Sequence, residues 1–301
     1  MAKRLIITAD DMGYNVERNR GIIECFQRGA ITNSSLMVNG IAAADAAHLA
    51  LKYGLPTGLH FNITEGAPVN KSNKYTTITD KEGFFLGKQG LRQAVLDKII
   101  DCQEVREEMN AQIKRYEELI GSKPVYVDGH QHAHIIPGLS EVFAEVLEEH
   151  HIQATRVPYE KNLKEVSWLG EPWEKILFTF SDDAARARPI FKAHNIWESD
   201  LFFGLATMGC NMSIERLQTG ITRAFDSVPN LINQTVTCEL MSHPGFACQG
   251  DGGCGEGPDD FSQSSDREYE KSVLESEDMA QFYKKNGIML MSYHQCLESL
   301  K

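Results

Sequence analysis

The stretch Leu5-Ile6-Ile7-Thr8-Ala9-Asp10-Asp11-Met12-Gly13 is a short aliphatic run that ends in two adjacent carboxylates and a glycine. Residues 5–8 suit a buried strand, and an apolar helical segment over residues 21–27 follows, stopped by Gly29, a common helix terminator. The same alternation repeats along the chain. Strand signals recur at residues 35–38, 57–63, 125–127, 154–157, 201–203, 235–240 and 288–291, with helical segments between most of them. The clearest helix spans residues 103–120: Val105, Met109, Ile113, Tyr116 and Ile120 share one face, and Gly121 and Pro124 close it. A second covers residues 42–52. Repeated β-then-α units imply a parallel sheet. About eight strands over this length predict an α/β fold, a single-domain distorted (β/α) barrel across residues 1–301, with a doubly wound open sheet as the alternative. Two long polar loops, 65–90 and 246–266, interrupt the pattern and are expected to be functional or mobile.

The bulk composition excludes several classes. The net charge of −12 argues against nucleic acid or an anionic membrane as the main partner, since both need a basic face. No apolar run is long enough to span a membrane. The apolar segment after Lys3-Arg4 is too short for a signal peptide and runs into aspartates. The seven cysteines are scattered and form no Cys-x-x-Cys pair. A cytoplasmic protein is expected.

The chemistry-bearing residues fall at the predicted C-terminal ends of strands, where a barrel gathers its active site. Asp10-Asp11 follows the first strand, His60 closes Gly58-Leu59-His60, Asp128-Gly129-His130-Gln131-His132-Ala133-His134 follows the fourth, Arg156 lies at the fifth, and His243-Pro244-Gly245 follows the seventh. An aspartate pair after a strand is also a common turn or helix cap, and a lone histidine is often structural. Three histidines at alternate positions, with a carboxylate and a histidine on other strand ends, suit a catalytic metal with open coordination positions. Were residues 128–134 extended, His130, His132 and His134 would share one face, some as ligands and others as supporting or substrate groups. Within the aspartate pair one carboxylate could bind the ion and the other take a proton from water, and a distant histidine could protonate a leaving amine. An arginine near the base would keep it ionised. Cys248 and Cys254 lack metal-ligand spacing. Trp168, Trp173 and Trp197 suit packing more than sugar stacking. The glycines of residues 250–253 are not a phosphate-binding loop, because no Gly-Lys-Ser/Thr follows.

The motifs Thr8-Ala9-Asp10-Asp11-Met12-Gly13, Val38-Asn39-Gly40, Gly58-Leu59-His60, the segment 128–134 and His243-Pro244-Gly245 together resemble the YdjC-like carbohydrate deacetylases. The resemblance runs over essentially the whole chain, and the loop Gly252-Gly253-Cys254-Gly255-Glu256-Gly257-Pro258 is similar to the animal branch. It implies a metal-dependent hydrolase that removes N-acetyl groups from short amino-sugar chains, acting as a homodimer. It also implies one divalent metal ion held by Asp11, His60 and His130, with Asp10 as base, His243 as acid and Arg156 orienting the base. The family suggests magnesium, and the ligand set also suits zinc. Two other readings stand beside it. One is another barrel metal hydrolase, an amidohydrolase or phosphoesterase. The other is a non-catalytic sugar-binding protein, against which the retention of a base beside the metal set argues.

Overall fold

A computed structural model describes residues 2–71, 74–161, 163–229 and 234–300. Among them, eight strands run in chain order as β1 (Ala2–Met12), β2 (Asn33–Leu36), β3 (Thr57–Phe61), β4 (Tyr126–Gly129), β5 (Ala154–Thr155), β6 (Leu201–Phe203), β7 (Thr235–Ser242) and β8 (Ile288–Leu290). Every ladder between them is parallel, in the order β5-β4-β3-β2-β1-β7-β6. β8 stands off this path. It pairs with Lys3–Leu5, the lower half of β1, while β2 pairs with Thr8–Met12, the upper half. β7 takes the other edge from Ala2 to Ala9.

The sheet curls into a distorted barrel that β5 and β6 leave incompletely closed. They share no ladder. A single bridge from Ala154 to Trp197 spans the seam. There the Thr155 N–H donates to the Trp197 carbonyl at 3.0 Å and the Trp197 N–H to that of Gln153 at 2.7 Å. β5 is two residues long rather than the four predicted, because the backbone leaves the sheet just before Arg156. Most strands bury both faces, as expected of a parallel sheet covered by helices: Leu5, Ile7, Leu36, Leu59, Val127 and Leu240 are wholly enclosed.

The predicted helices form with shifted ends. The segment 21–27 starts earlier, at Val16, because the Asn15 side chain accepts from the Arg18 N–H and caps the first turn. The helix Cys102–Ile120 begins at the Asp101 cap and ends in left-handed Gly121. The loop predicted over 65–90 is shorter, since the helix Gly87–Leu96 begins inside it, and residues 72 and 73 lie outside the described set. This loop is fastened to the body. Glu104 accepts from the backbone N–H of Thr76, Thr77 and Ile78, and Glu108 from those of Val69 and Asn70. Phe85 is buried and Phe84 half-buried. The second loop, 246–266, holds a short helix, Asp260–Gln263.

Gly58 sits where β3 passes Tyr126 of β4. A Cβ there would meet the tyrosine ring at 2.5 Å. That ring cannot retreat, being stacked on Tyr293 at 4.0 Å and hydrogen-bonded through its hydroxyl to the Ser34 carbonyl at 3.0 Å. Gly58→Ala should lower stability by about 1–3 kcal/mol through overpacking, measured by denaturant unfolding. A stability equal to that of the parent protein would show that β3 and β4 can part without cost.

Candidate metal centre and active site

Neighbouring residues of a regular strand point to opposite faces, so Asp10 and Asp11 should not both reach one cleft. They do because β1 is irregular there. Its register with β2 slips between Ala9 and Met12, and Asp11 adopts a left-handed backbone with φ 63°. Such bulges re-aim side chains, and a positive φ at a non-glycine residue is uncommon. Asp10 consequently faces Arg156, whose guanidinium grips both its oxygens at 2.6 and 2.8 Å. Asp11 turns to the histidines. Its Oδ1 is 3.1 Å from His130 Nδ1 and 3.4 Å from His60 Nε2, and its Oδ2 accepts from Arg18 at 3.2 Å.

Asp11, His60 and His130 offer one ligand atom each, all within 4.8 Å of one another. Ligands at about 2.0–2.2 Å from one ion lie roughly 2.8–3.6 Å apart in octahedral or tetrahedral geometry, so the 3.1 and 3.4 Å separations of the two histidines from Asp11 Oδ1 fit a single small cation. Each imidazole is backed by a carboxylate on its other nitrogen. His60 Nδ1 meets Asp128 Oδ1 at 2.6 Å, and His130 Nε2 meets Glu65 Oε2 at 3.0 Å. Carboxylates placed this way fix the tautomer and orientation of metal-binding histidines. A second group, Asp10, His60 and Asp128, is also close enough to hold an ion. Arg156 already binds both of its carboxylates, so its charge opposes a cation there.

Titration follows the same geometry. Burial alone would raise Asp11, but hydrogen bonds from His130 and His60 hold it well below its usual range. Burial lowers His60, yet Asp128 and Asp10 outweigh it and lift the ring to about 10. Burial likewise lowers His130, and Asp11 and Glu65 raise it to about 9. An ion that binds these rings displaces their protons. Burial raises Asp10 to about 6 against the pull of Arg156 and His60. Asp128 is also pushed up by burial, but Arg156 and His60 keep it well below the carboxylate norm.

The three histidines of 128–134 do not share a face. Gln131 and His132 adopt left-handed backbone angles, φ 51° and 59°, so the segment turns instead of extending. His130 alone reaches Asp11. His132 packs edge-on against Phe180 at 5.1 Å, and His134 lies among Phe143 and Phe191 with Nε2 donating to the Arg156 carbonyl at 2.9 Å. Burial holds both rings below the ordinary histidine value, His134 at about 4.

His243 lies just beyond β7, with Nε2 3.9 Å from Asp10 Oδ2 and its backbone N–H donating to Glu270 at 2.7 Å. Burial, with Arg267, Arg18 and Arg156, keeps the imidazole well below its ordinary value despite Asp11. Arg156 is wholly enclosed, and its Nε donates to Glu239 at 3.0 Å. Glu239 also accepts from Thr8 and Tyr293 at 2.9 and 2.7 Å. The sequence reading gave no role to Glu65, Asp128, Glu239 or Arg18. Glu239 left a usable signal, a charge inside an apolar strand; Glu65 left only its place at the start of a long loop. Among the described residues the possible ion-holding groups include neither Cys248 nor Cys254. Trp197 stands at the seam against Tyr293, and Trp168 donates to the Ala206 carbonyl at 2.8 Å.

A fold of parallel strands with carboxylates, histidines and an arginine at their C-terminal ends defines a hydrolase-like barrel centre. A family model described as YdjC-like protein matches residues 4–285. Similar proteins include a carbohydrate deacetylase of Xenopus laevis, 42% identical over 299 residues and covering 96% of this chain and 97% of the relative. A human carbohydrate deacetylase is 41% identical over 289 residues, 95% of this chain and 89% of its own length. A chitooligosaccharide deacetylase of Serratia marcescens is 38% identical over 149 residues, 48% of this chain and 57% of that protein. The chain belongs to the YdjC-like family. Among solved structures, a candidate cellobiose-phosphate cleavage protein of Enterococcus faecalis V583 superposes with a TM-score of 0.68 at 20% identity, covering 98% of both chains, and so shares the fold.

Glu65→Gln keeps the shape of the side chain but removes the charge behind His130. Metal affinity should fall about 10–100-fold, as for other supporting carboxylates, in calorimetric titrations of the metal-stripped protein with zinc. An unchanged affinity would mean that Glu65 only fastens the loop.

Proposed function

We propose that this protein is a divalent-metal-dependent carbohydrate deacetylase that hydrolyses the N-acetyl amide of short amino-sugar chains to acetate and a free amine. The observation that carries this reading is the Asp11–His60–His130 ligand set with a separate buried carboxylate, Asp10, held beside it by Arg156. The names of the relatives support it. A divalent ion held by Asp11, His60 and His130 would polarise the amide carbonyl and ease deprotonation of the attacking water. The family favours magnesium, and two imidazoles with one carboxylate equally suit zinc.

The chain's own groups divide the proton work. Asp10 takes a proton from the attacking water, and its raised pKa of about 6 makes it a competent base near neutral pH. Its two oxygens each hold one Arg156 hydrogen bond and keep further lone pairs free. Arg156 fixes the carboxylate plane while Glu239 and Asp128 fix Arg156. His243 protonates the departing amine as the carbon–nitrogen bond breaks. It rests neutral, so the proton it passes on is the one Asp10 takes from water, handed over when the 3.9 Å between Asp10 Oδ2 and Nε2 closes to hydrogen-bond distance. The loop over 65–86 acts as a fixed rim that restricts which substrates enter, and the cell compartment in which the protein works is taken to be the cytoplasm. Among the described residues no helix is long and apolar enough to cross a membrane.

The roles separate under mutation. Asp10→Asn should retain the ion and lose about 10²–10⁴-fold in turnover, and His243→Ala should behave alike. Asp11→Asn should lose much of both ion and turnover. Metal content after dialysis, measured beside acetate release from N-acetylglucosamine oligomers at saturating metal, distinguishes them. Full activity of Asp10→Asn, or ion loss equal to that of Asp11→Asn, would refute the assignment.

The rim can be tested on its own. Replacing the tip of the loop, Lys81-Glu82-Gly83, by Gly-Gly should shift the ratio of activities on tetramer and dimer, since those residues are exposed and bear no core contact. An unaltered ratio would remove the loop tip from substrate selection.

A further inference from the structure

His243 differs from the other histidines of the centre in what holds it. His60 and His130 each meet carboxylates at both ring nitrogens. Among the described residues the His243 Nδ1 has no hydrogen-bond partner, and Nε2 stops 3.9 Å short of Asp10. Its ring is therefore placed by the backbone that carries it and by the groups packed around it. The turn His243-Pro244-Gly245 has two N–H groups to satisfy, since proline has none. Both go to one short stretch of chain. The His243 N–H donates to Glu270 Oε2 at 2.7 Å, and the Gly245 N–H to the Arg267 carbonyl at 3.1 Å. Arg267 and Glu270 lie one turn apart on the helix Asp266–Leu274, and neither has any exposed surface. Their side chains join: Arg267 Nη2 donates to Glu270 Oε1 at 3.0 Å, and the Gly209 N–H reaches the same oxygen at 2.7 Å. The Arg267 guanidinium also lies 3.7 Å from the centre of the Phe261 ring, which stands perpendicular to the His243 imidazole with centroids 5.1 Å apart. Backbone and ring of His243 are thus both held from residues 261–270.

We propose that Glu270, Arg267 and Phe261 are positioning residues, a brace that aims the His243 imidazole at the departing amine. The inference deepens the deacetylase reading and rests on it. Proton transfer requires the donor within hydrogen-bond reach of the nitrogen it serves, and a ring with no partner on Nδ1 keeps that aim only if its surroundings fix it. Glu270 is built for this. Its two oxygens accept three hydrogen bonds, two of them from the backbone of separate turns. A glutamine in its place would turn one oxygen into a donor. Whichever way that amide turned, its N–H would face another donor, the His243 N–H on one side or the Gly209 N–H and Arg267 on the other. Phe261 is 37% exposed, so its ring can be trimmed without opening the core.

The test compares the metal-loaded full-length protein with Glu270→Gln and Phe261→Leu, each made alone and together with His243→Ala. Acetate release from the N-acetylglucosamine dimer is read with metal content, and crystal structures of the single variants locate the His243 ring. Glu270→Gln should lower kcat about 10–100-fold, the cost of misplacing a reacting group by about 1 Å. KM should stay within about twofold and the metal should be retained. Phe261→Leu should lower kcat in the same direction by about fivefold, through the same loss of aim. Where His243 is already alanine, neither change should cost more than about twofold, because the group it positions is gone. In the Glu270→Gln crystal the imidazole should swing away from Asp10. Equal losses with and without His243 would reduce the brace to general support and overturn the proposal, as would an unchanged kcat in Glu270→Gln. If Glu270→Gln does not fold, Phe261→Leu decides by the same comparison. If the parent protein releases no acetate, or His243→Ala keeps full activity, the reading of the reaction falls, and the ring position alone judges the brace: a displaced imidazole upholds it and an unmoved one overturns it.

Discussion

One buried guanidinium organises the centre of this protein. Arg156 follows the shortest strand, β5, and contacts Asp10 from β1, Asp128 from β4 and Glu239 from β7. Four strands thus meet at one side chain with no exposed surface. Burying an ion costs several kcal/mol unless its partners satisfy it fully, and removing one partner of such a pair is worse than never having built it. The arrangement is therefore cooperative. Asp128 orients His60 while Arg156 and the Ser35 hydroxyl hold its other oxygen, and Glu239, itself held by Thr8 and Tyr293, steadies Arg156.

The same cluster explains how two adjacent aspartates come to sit in different environments. Both are buried, yet their environments push them apart: Asp10 up towards neutrality, Asp11 down among hydrogen-bond donors. A carboxylate kept low is a good ligand, and one lifted towards neutral pH is a good proton acceptor. The strained backbone at Asp11 is what lets the two environments exist one residue apart.

Much of this was legible in the sequence, and the illegible parts have physical causes. Strands such as residues 201–203 and the helix over 103–120 announce themselves because burial imposes a period on apolar residues. The positions of Asp10, Asp11, His60, His130, Arg156 and His243 at strand ends followed from the βα alternation, and their side chains lie in one buried cluster. What periodicity does not encode is backbone sign. The turn at Gln131 and His132 occurs in residues with no strong turn preference, so the shared face that an extended segment would give the three histidines does not form. Nor does it encode partners distant in the chain. Glu65 and Glu239 acquire their meaning only from His130 and Arg156, which folding places beside them. The short β5 and the bridge at Trp197 are likewise products of closing the barrel, not of local preference.

The divided edge of β1 has a consequence for how the chain reaches this state. Along Lys3–Leu5 both neighbours of β1 come from late in the sequence, Val236–Cys238 on one side and Ile288–Leu290 on the other. During synthesis, β1 emerges long before β7 and β8, and its lower backbone amides wait until both have been made. Such pairing has a high contact order, which slows folding, and the charges of Lys3 and Arg4 guard the edge against association while it waits. The barrel's seam in space lies between β5 and β6, but its seam in time lies at β1.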